Sequence, residues 1–201
     1  MPAGAHALSD HHIAVIVKAL GAHEPVTVDV PERRKAAVLI LLFSRDDEPW
    51  VVLTRRTDKV STHKGEISFP GGAHDDVDGD MWTTAARETH EELGVDPSTL
   101  TMLGALDDYP TFSSGFIVSP FVASVTPQAW LPNEHEIADV IEVPLRRLAD
   151  AARMEVWERD NIRFPMHIFD VDGTYVWGVT AFILRRFLDV VGPPLGYGAL
   201  P

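Results

Sequence analysis

An α/β fold with a mixed sheet and helices on both of its faces is what the sequence predicts, from three observations. Residues 36–43, AAVLILLF, are a continuous apolar run of strand length, as a buried strand requires. Residues 178–191, GVTAFILRRFLDVV, place Ala181, Ile183, Leu184, Phe187 and Val190-Val191 along one side of a helix. Strand-like and helix-like segments intermix without strict β-α alternation.

The elements follow in order. Ser9 or Asp10 caps a helix over 9–20, and Gly21 stops it. After the strand at 36–43, Asp46-Asp47-Glu48 supplies a turn, and WVVLT at 50–54 is the hairpin partner. A basic segment, Arg55 to Lys64, leads to a short strand at 66–68 and to Pro70-Gly71-Gly72. An acidic loop precedes a helix over 81–93, capped by Asp80 and stopped by Gly94. Strands are expected at 100–106, 116–124 and 136–143, then a short helix from Pro144 to Ala152 with the proline in its first turn. Strands at 154–157 and 163–169 and a turn at Asp172-Gly173 lead to the helix at 178–191. The tail at 192–201, GPPLGYGALP, is turn-rich with little intrinsic order. With no repeat and no clear linker, a single domain is expected over 1–201, its core at about 36–190.

Composition narrows the function. Hydrophobic residues make up 45%, enough for a core. There is no cysteine, which removes disulfides, thiolate zinc sites and cysteine nucleophiles. The opening MPAGAHALSDHH lacks the basic and apolar regions of a signal peptide, and no apolar run approaches the ~20 residues of a membrane span. A cytoplasmic location is expected. The net charge of -13 repels nucleic acid and anionic membranes, so neither is an expected partner. A small anionic substrate needs a local basic patch or a bridging metal ion.

The helix at 81–93 bears on the second. At about 100° per residue, Trp82, Ala85, Ala86, Thr89 and Leu93 fall on one side, and Glu88, Glu91 and Glu92 within roughly 100° beside it. Arg87 can brace Glu91. A charged solvated face is the ordinary explanation of an acidic run. Here no lysine sits nearby on that face to offset the repulsion, and clustered oxygen donors suit hard divalent cations such as Mg²⁺ or Mn²⁺. Gly71-Gly72 lets the backbone approach closely. Other motifs fail. Met81 stands where a calcium loop needs glycine, and Gly94 where a zinc-protease helix needs its second histidine. Ser113-Ser114-Gly115 is not a nucleophile elbow.

The segment from Gly72 to Val95 resembles the Nudix box, G-x5-E-x7-R-E-U-x-E-E-x-G-U. Gly72, Arg87, Glu88, Glu91, Glu92, Gly94 and Val95 match it. Asp78 replaces the loop glutamate, the stretch to Arg87 is one residue longer, and Thr89 replaces an apolar residue. Upstream, VLTRRTDKVSTHKGEISFPGG is similar to the signature of coenzyme A-cleaving Nudix hydrolases, L-L-T-x-R-[SA]-x3-R-x3-G-x3-F-P-G-G. Leu53, Thr54, Arg56, Gly65 and Phe69 to Gly72 match; Val52, Thr57 and Ser61 depart, the last replacing an arginine.

The resemblance implies a Nudix-type α/β/α sandwich with a mixed central sheet. It implies metal-dependent hydrolysis of the diphosphate of coenzyme A or acyl-coenzyme A, to adenosine 3′,5′-bisphosphate and (acyl-)4′-phosphopantetheine. Glu88, Glu91 and Glu92 would hold Mg²⁺ or Mn²⁺, and Arg56, Lys64, Gly71 and Gly72 would bind substrate. The base would be one of these glutamates or a distal acid, for which Glu136 is chosen. Two alternatives stay open: hydrolysis of ADP-ribose or a dinucleotide, and a non-catalytic ligand sensor. A homodimer is also left open, since the tail and last helix can cover either the fold or a second subunit.

Overall fold

Ser9 opens the first helix. Its hydroxyl accepts the His12 backbone N–H at 3.2 Å, and α1 runs over Asp10–Gly21 behind the two-residue strand β1 (Ala5–His6). The structure, a computed structural model, describes residues 4–58, 65–111, 114–159 and 161–201. The chain continues through β2 (Arg34–Arg45), β3 (Glu48–Arg56), β4 (Ile67–Ser68), β5 (Gly71–Ala73), α2 (Met81–Leu93), β6 (Thr101–Ala105), β7 (Tyr109–Pro110) and β8 (Phe116–Ser124). Then come β9 (Ile137–Pro144), α3 (Leu145–Asp150), β10 (Ala152–Arg159), β11 (Ile162–Val171), β12 (Thr174–Val176) and α4 (Gly178–Val191).

β2 is the axis of the fold. It pairs antiparallel with β1, β3 and β5 and parallel with β8, so the main sheet is mixed, with the order β4-β3-β2-β8-β6. β9 joins it along β3. Side chains alternate across a strand. Ile40 and Leu42 enter one apolar layer, and Ala37, Leu39, Leu41 and Phe43 the other. Both faces of β2 are therefore buried, which is why AAVLILLF shows no polar alternation. On the first side lie α1, through Ile16 and Leu20, and α4, through Ile183, Leu184, Phe187 and Val191. On the second lies α2, through Ala85 and Leu93. The α/β/α sandwich follows from these two layers.

Asp46 and Asp47, both at positive φ (52° and 59°), form the two-residue loop between β2 and β3, so these strands run further toward each other than the apolar residues alone suggest. β10, β11 and β12 form a separate three-stranded antiparallel sheet, where the sequence suggests one sheet. Pro144 ends β9 in an extended conformation and precedes α3 rather than lying in its first turn. The tail is more ordered than its composition implies. Its Tyr197 is buried in the first layer, donates its N–H to Gly192 O at 2.9 Å, and lies under the Arg146 guanidinium at 4.9 Å. Among the described residues no helix is long and apolar enough to cross a membrane.

Candidate active site

Local signals set the length of α2. The Asp80 carboxylate accepts the Thr83 N–H at 2.7 Å, and Gly94 ends the helix in the left-handed conformation, φ 69°. Thr89 faces the core, where its hydroxyl donates to the Ala85 carbonyl at 2.7 Å; that bond lets a polar residue occupy an apolar position.

The glutamates differ in their surroundings. Glu92 is buried, 3% exposed. Its Oε2 accepts the Gly71 N–H at 3.1 Å, and Arg56 Nη1 lies 3.7 Å from its Oε1. Loss of water outweighs both and pushes the carboxyl up to about 8. Burial also raises the Glu88 carboxyl, against the pull of Arg87. Glu88 lies against the backbone of Gly72, where a Cβ would collide with its carboxylate. A Cβ on Gly71, at φ +149°, would strike the Ala37 carbonyl of β2. One glycine thus admits β5 to the sheet and the other admits Glu88 to β5. Glu91 is 54% exposed and turned toward Arg87.

Arg87 joins the loop to the helix. Its Nε donates to Asp78 Oδ1 at 2.7 Å and its Nη2 to Oδ2 at 3.0 Å, the two-point geometry that suits guanidinium and carboxylate. Nη2 also donates to the Ala73 carbonyl at 3.1 Å. Nη1 lies 3.0 Å from Glu88 Oε1 and 3.1 Å from Glu91 Oε2. The Arg87 hydrogen bonds hold the Asp78 carboxyl well below the usual carboxylate range. Asp78 itself closes a turn over Asp76–Asp78 through reciprocal bonds with Asp75. The Asp-x-x-Asp spacing of 75–78 carries the signal of that turn in the sequence.

A distant segment completes the arrangement. Leu131 and Asn133 donate their N–H groups to Leu93 O and Glu92 O, both at 2.9 Å, and so satisfy carbonyls at the end of α2. The Asn133 carbonyl then accepts the N–H groups of Glu136 (2.9 Å) and Ile137 (2.8 Å), which fixes Glu136 beside the helix. Arg56 lies between, with Nη2 4.0 Å from Glu136 Oε2. Strand alternation puts Arg56 on the α2 face with buried Val52, and Arg55 on the opposite face with Val51 and Leu53.

The structure therefore gathers Arg56, Gly71, Gly72, Glu88, Glu92 and Glu136, with Glu91 at the rim. Lys64 lies outside the described residues. Among the described residues no three Asp, Glu or His side chains converge on one point: Arg87 holds Glu91, while Gly71 and Arg56 hold Glu92. The donors nevertheless suit a hard divalent cation. All are carboxylate oxygens, and Glu88 and Glu92, one turn apart, are both biased toward protonation by burial, a charge deficit that a cation offsets.

The NUDIX domain family model matches residues 33–163. A relative from Enterobacter sp. (strain 638), called uncharacterized Nudix hydrolase NudL, is 35% identical over 170 residues, 82% of this chain and 86% of its own length. One of the same name from Yersinia pestis (strain Pestoides F) is 34% identical over 161 residues, 79% and 80%. The crystal structure of a MutT/nudix family protein from Enterococcus faecalis superposes with a TM-score of 0.53 at 14% identity, covering 89% of this chain and 69% of that one; it bears on the fold alone.

Proposed function

The chain belongs to the Nudix hydrolase family, and from that premise we propose that it hydrolyses the diphosphate of coenzyme A or an acyl-coenzyme A, using Mg²⁺ or Mn²⁺. The products are adenosine 3′,5′-bisphosphate and (acyl-)4′-phosphopantetheine. The observation that carries this reading is the meeting of Arg56, from the upstream signature, with Glu92 and Glu136. The Arg56 side chain stays 23% exposed, so its guanidinium can present an N–H to a phosphate oxygen.

Glu88, Glu91 and Glu92 are the residues that hold the ion, in a family that generally uses divalent metals. When bound, the ion neutralises diphosphate oxygens and acidifies water. Glu136, 45% exposed and fixed by Asn133, takes the proton as the water oxygen bonds to phosphorus and the P–O bond to the leaving phosphate breaks. Gly71 and Gly72 serve the site through packing, the first by letting β5 reach β2 and the second by letting Glu88 lie against β5.

Two outcomes are expected. Gly72→Ala displaces Glu88 and lowers turnover at least tenfold, a loss on the scale of disturbed ligand support, with the far-UV circular dichroism retained. Arg56→Ala lowers kcat/KM by roughly ten- to a hundredfold, the effect of one charge-assisted contact, and Arg55→Ala by far less. Steady-state kinetics of the four proteins checks both.

The decisive experiment is product analysis after incubation with coenzyme A and Mg²⁺, beside dephospho-coenzyme A and ADP-ribose. Preferential cleavage of coenzyme A supports the reading. Ser61, in place of the signature's second arginine, favours a second one, hydrolysis of ADP-ribose or a dinucleotide. Equal cleavage of all three substrates makes the protein a general nucleoside-diphosphate hydrolase.

A further inference from the structure

We propose that His74 is a positioning residue of this site, acting through Thr84 and Asp78 on Arg87; the proposal rests on the reading that Glu88 and Glu91 hold the metal ion. His74 touches neither glutamate in the described contacts. Each link between them is a direct hydrogen bond or ion pair.

Asp78 is the middle of the chain. Its carboxylate, 2% exposed, receives Arg87 Nε at 2.7 Å and Nη2 at 3.0 Å, the Thr84 hydroxyl at 2.8 Å and the Asp75 N–H at 3.1 Å. So surrounded by donors, it is ionised and has no proton to give. Thr84 must donate to it. The Thr84 hydroxyl has one proton and a second acceptor in range, the Asp80 carbonyl at 3.2 Å. That bond is the ordinary one for a threonine inside a helix.

His74 decides between the two. Its Nδ1 lies 2.7 Å from Thr84 Oγ1. Because the Thr84 proton goes to Asp78, Nδ1 must carry a proton and donate it to Oγ1. The ring therefore carries a proton at Nδ1. The bond occupies the free side of the Thr84 oxygen and directs its proton toward Asp78. The backbone of His74 is tied to β2 through its N–H and Lys35 O at 2.9 Å, so the donor comes from the sheet. With both Asp78 oxygens committed to Nε and Nη2, Arg87 keeps Nη1 for Glu88 and Glu91. An aspartate is one methylene shorter than the glutamate of the motif, and the turn below it and the Thr84–His74 pair behind it supply the support it lacks.

Two measurements test this. Nitrogen-15 NMR of the metal-free protein is expected to show His74 protonated at Nδ1, which also faces the Asp78 carboxylate at 3.8 Å. An Nε2–H ring in the natural protein overturns the relay. Calorimetric titration with Mn²⁺ is expected to show about tenfold weaker binding in His74→Leu and in Thr84→Val, the size of effect seen for groups behind metal ligands. His74→Asn, whose amide nitrogen takes the place of Nδ1, is expected to restore it, with the metal-free melting temperature the same in His74→Leu and His74→Asn; Thr84→Val, which takes a donor from the buried Asp78, also lowers that temperature. Equal Mn²⁺ affinity in the natural protein and His74→Leu overturns the proposal and leaves the proposed function standing. No Mn²⁺ uptake by the natural protein overturns both.

Discussion

Replacing Glu92 by glutamine is expected to lower turnover by more than a hundredfold and to leave the metal-free protein as stable as before, or more so. The amide keeps the shape and still accepts the Gly71 N–H, so packing is preserved. What is lost is a charge in direct reach of the ion, a loss larger than the 10–100-fold typical of groups behind the ligands. The sign of the stability change follows from burial. The Glu92 carboxyl is raised from 4.5 to about 8 in the fold. Between those values the native state keeps a proton that the unfolded chain has released, so metal-free stability falls as pH rises through that window. Glu92→Gln removes this dependence. Melting curves from pH 5 to pH 8, with and without Mg²⁺, check it: Mg²⁺ should raise the melting temperature of the natural protein by mass action and leave the variant's unchanged. A variant with undiminished turnover would reduce α2 to a solvated acidic face.

Arg87→Met is expected to be the most destabilising change at the site. It leaves Asp78 ionised, 2% exposed and without its counter-charge. Breaking such a pair from one side costs roughly 3 kcal/mol or more. For a domain of this size that is a fall in melting temperature of roughly 6–12 °C. The double variant Arg87→Met with Asp78→Asn should recover part of the loss, because the buried charge is gone while Thr84 and the Asp75 N–H still find an acceptor. A double variant no more stable than the single one would mean that the lost packing of the arginine, rather than the stranded carboxylate, sets the cost.

Features carried by neighbouring residues were legible in the sequence. Asp80 and Gly94 bound α2, the Glu88, Glu91 and Glu92 spacing is a helix periodicity, and Asp46-Asp47 turn β2 into β3, with Glu48 already in the strand. The resemblance at Arg56 singles it out from Arg55, and strand alternation gives the physical reason they differ. What depended on distant partners was not legible. Nothing local tells β10 to β12 to form their own sheet, since an edge strand is defined by what it lacks beside it. Glu136 could be chosen as a distal acid, yet its place beside α2 is set by Asn133 and the end carbonyls of the helix, far apart in the chain. Asp78 could be matched to a motif position, but its burial and its bonds to Thr84 come from the packing of a turn on a helix. Tyr197 sits in a segment whose prolines and glycines argue for disorder, and a ring buried against the core overrides them.

The central position of β2 has a kinetic consequence. Its antiparallel partner β3 follows at once, and a hairpin of that kind closes in microseconds. Its parallel partner β8 sets Phe116 opposite Arg34, so that edge waits for a loop of roughly 80 residues to close. During the wait, a strand as apolar as AAVLILLF offers an unpaired flank to any other chain in solution. Refolding yield should therefore fall with protein concentration well before equilibrium stability is affected. Substitutions in β8 would then register first as aggregation during folding, and only later as a loss of the folded state.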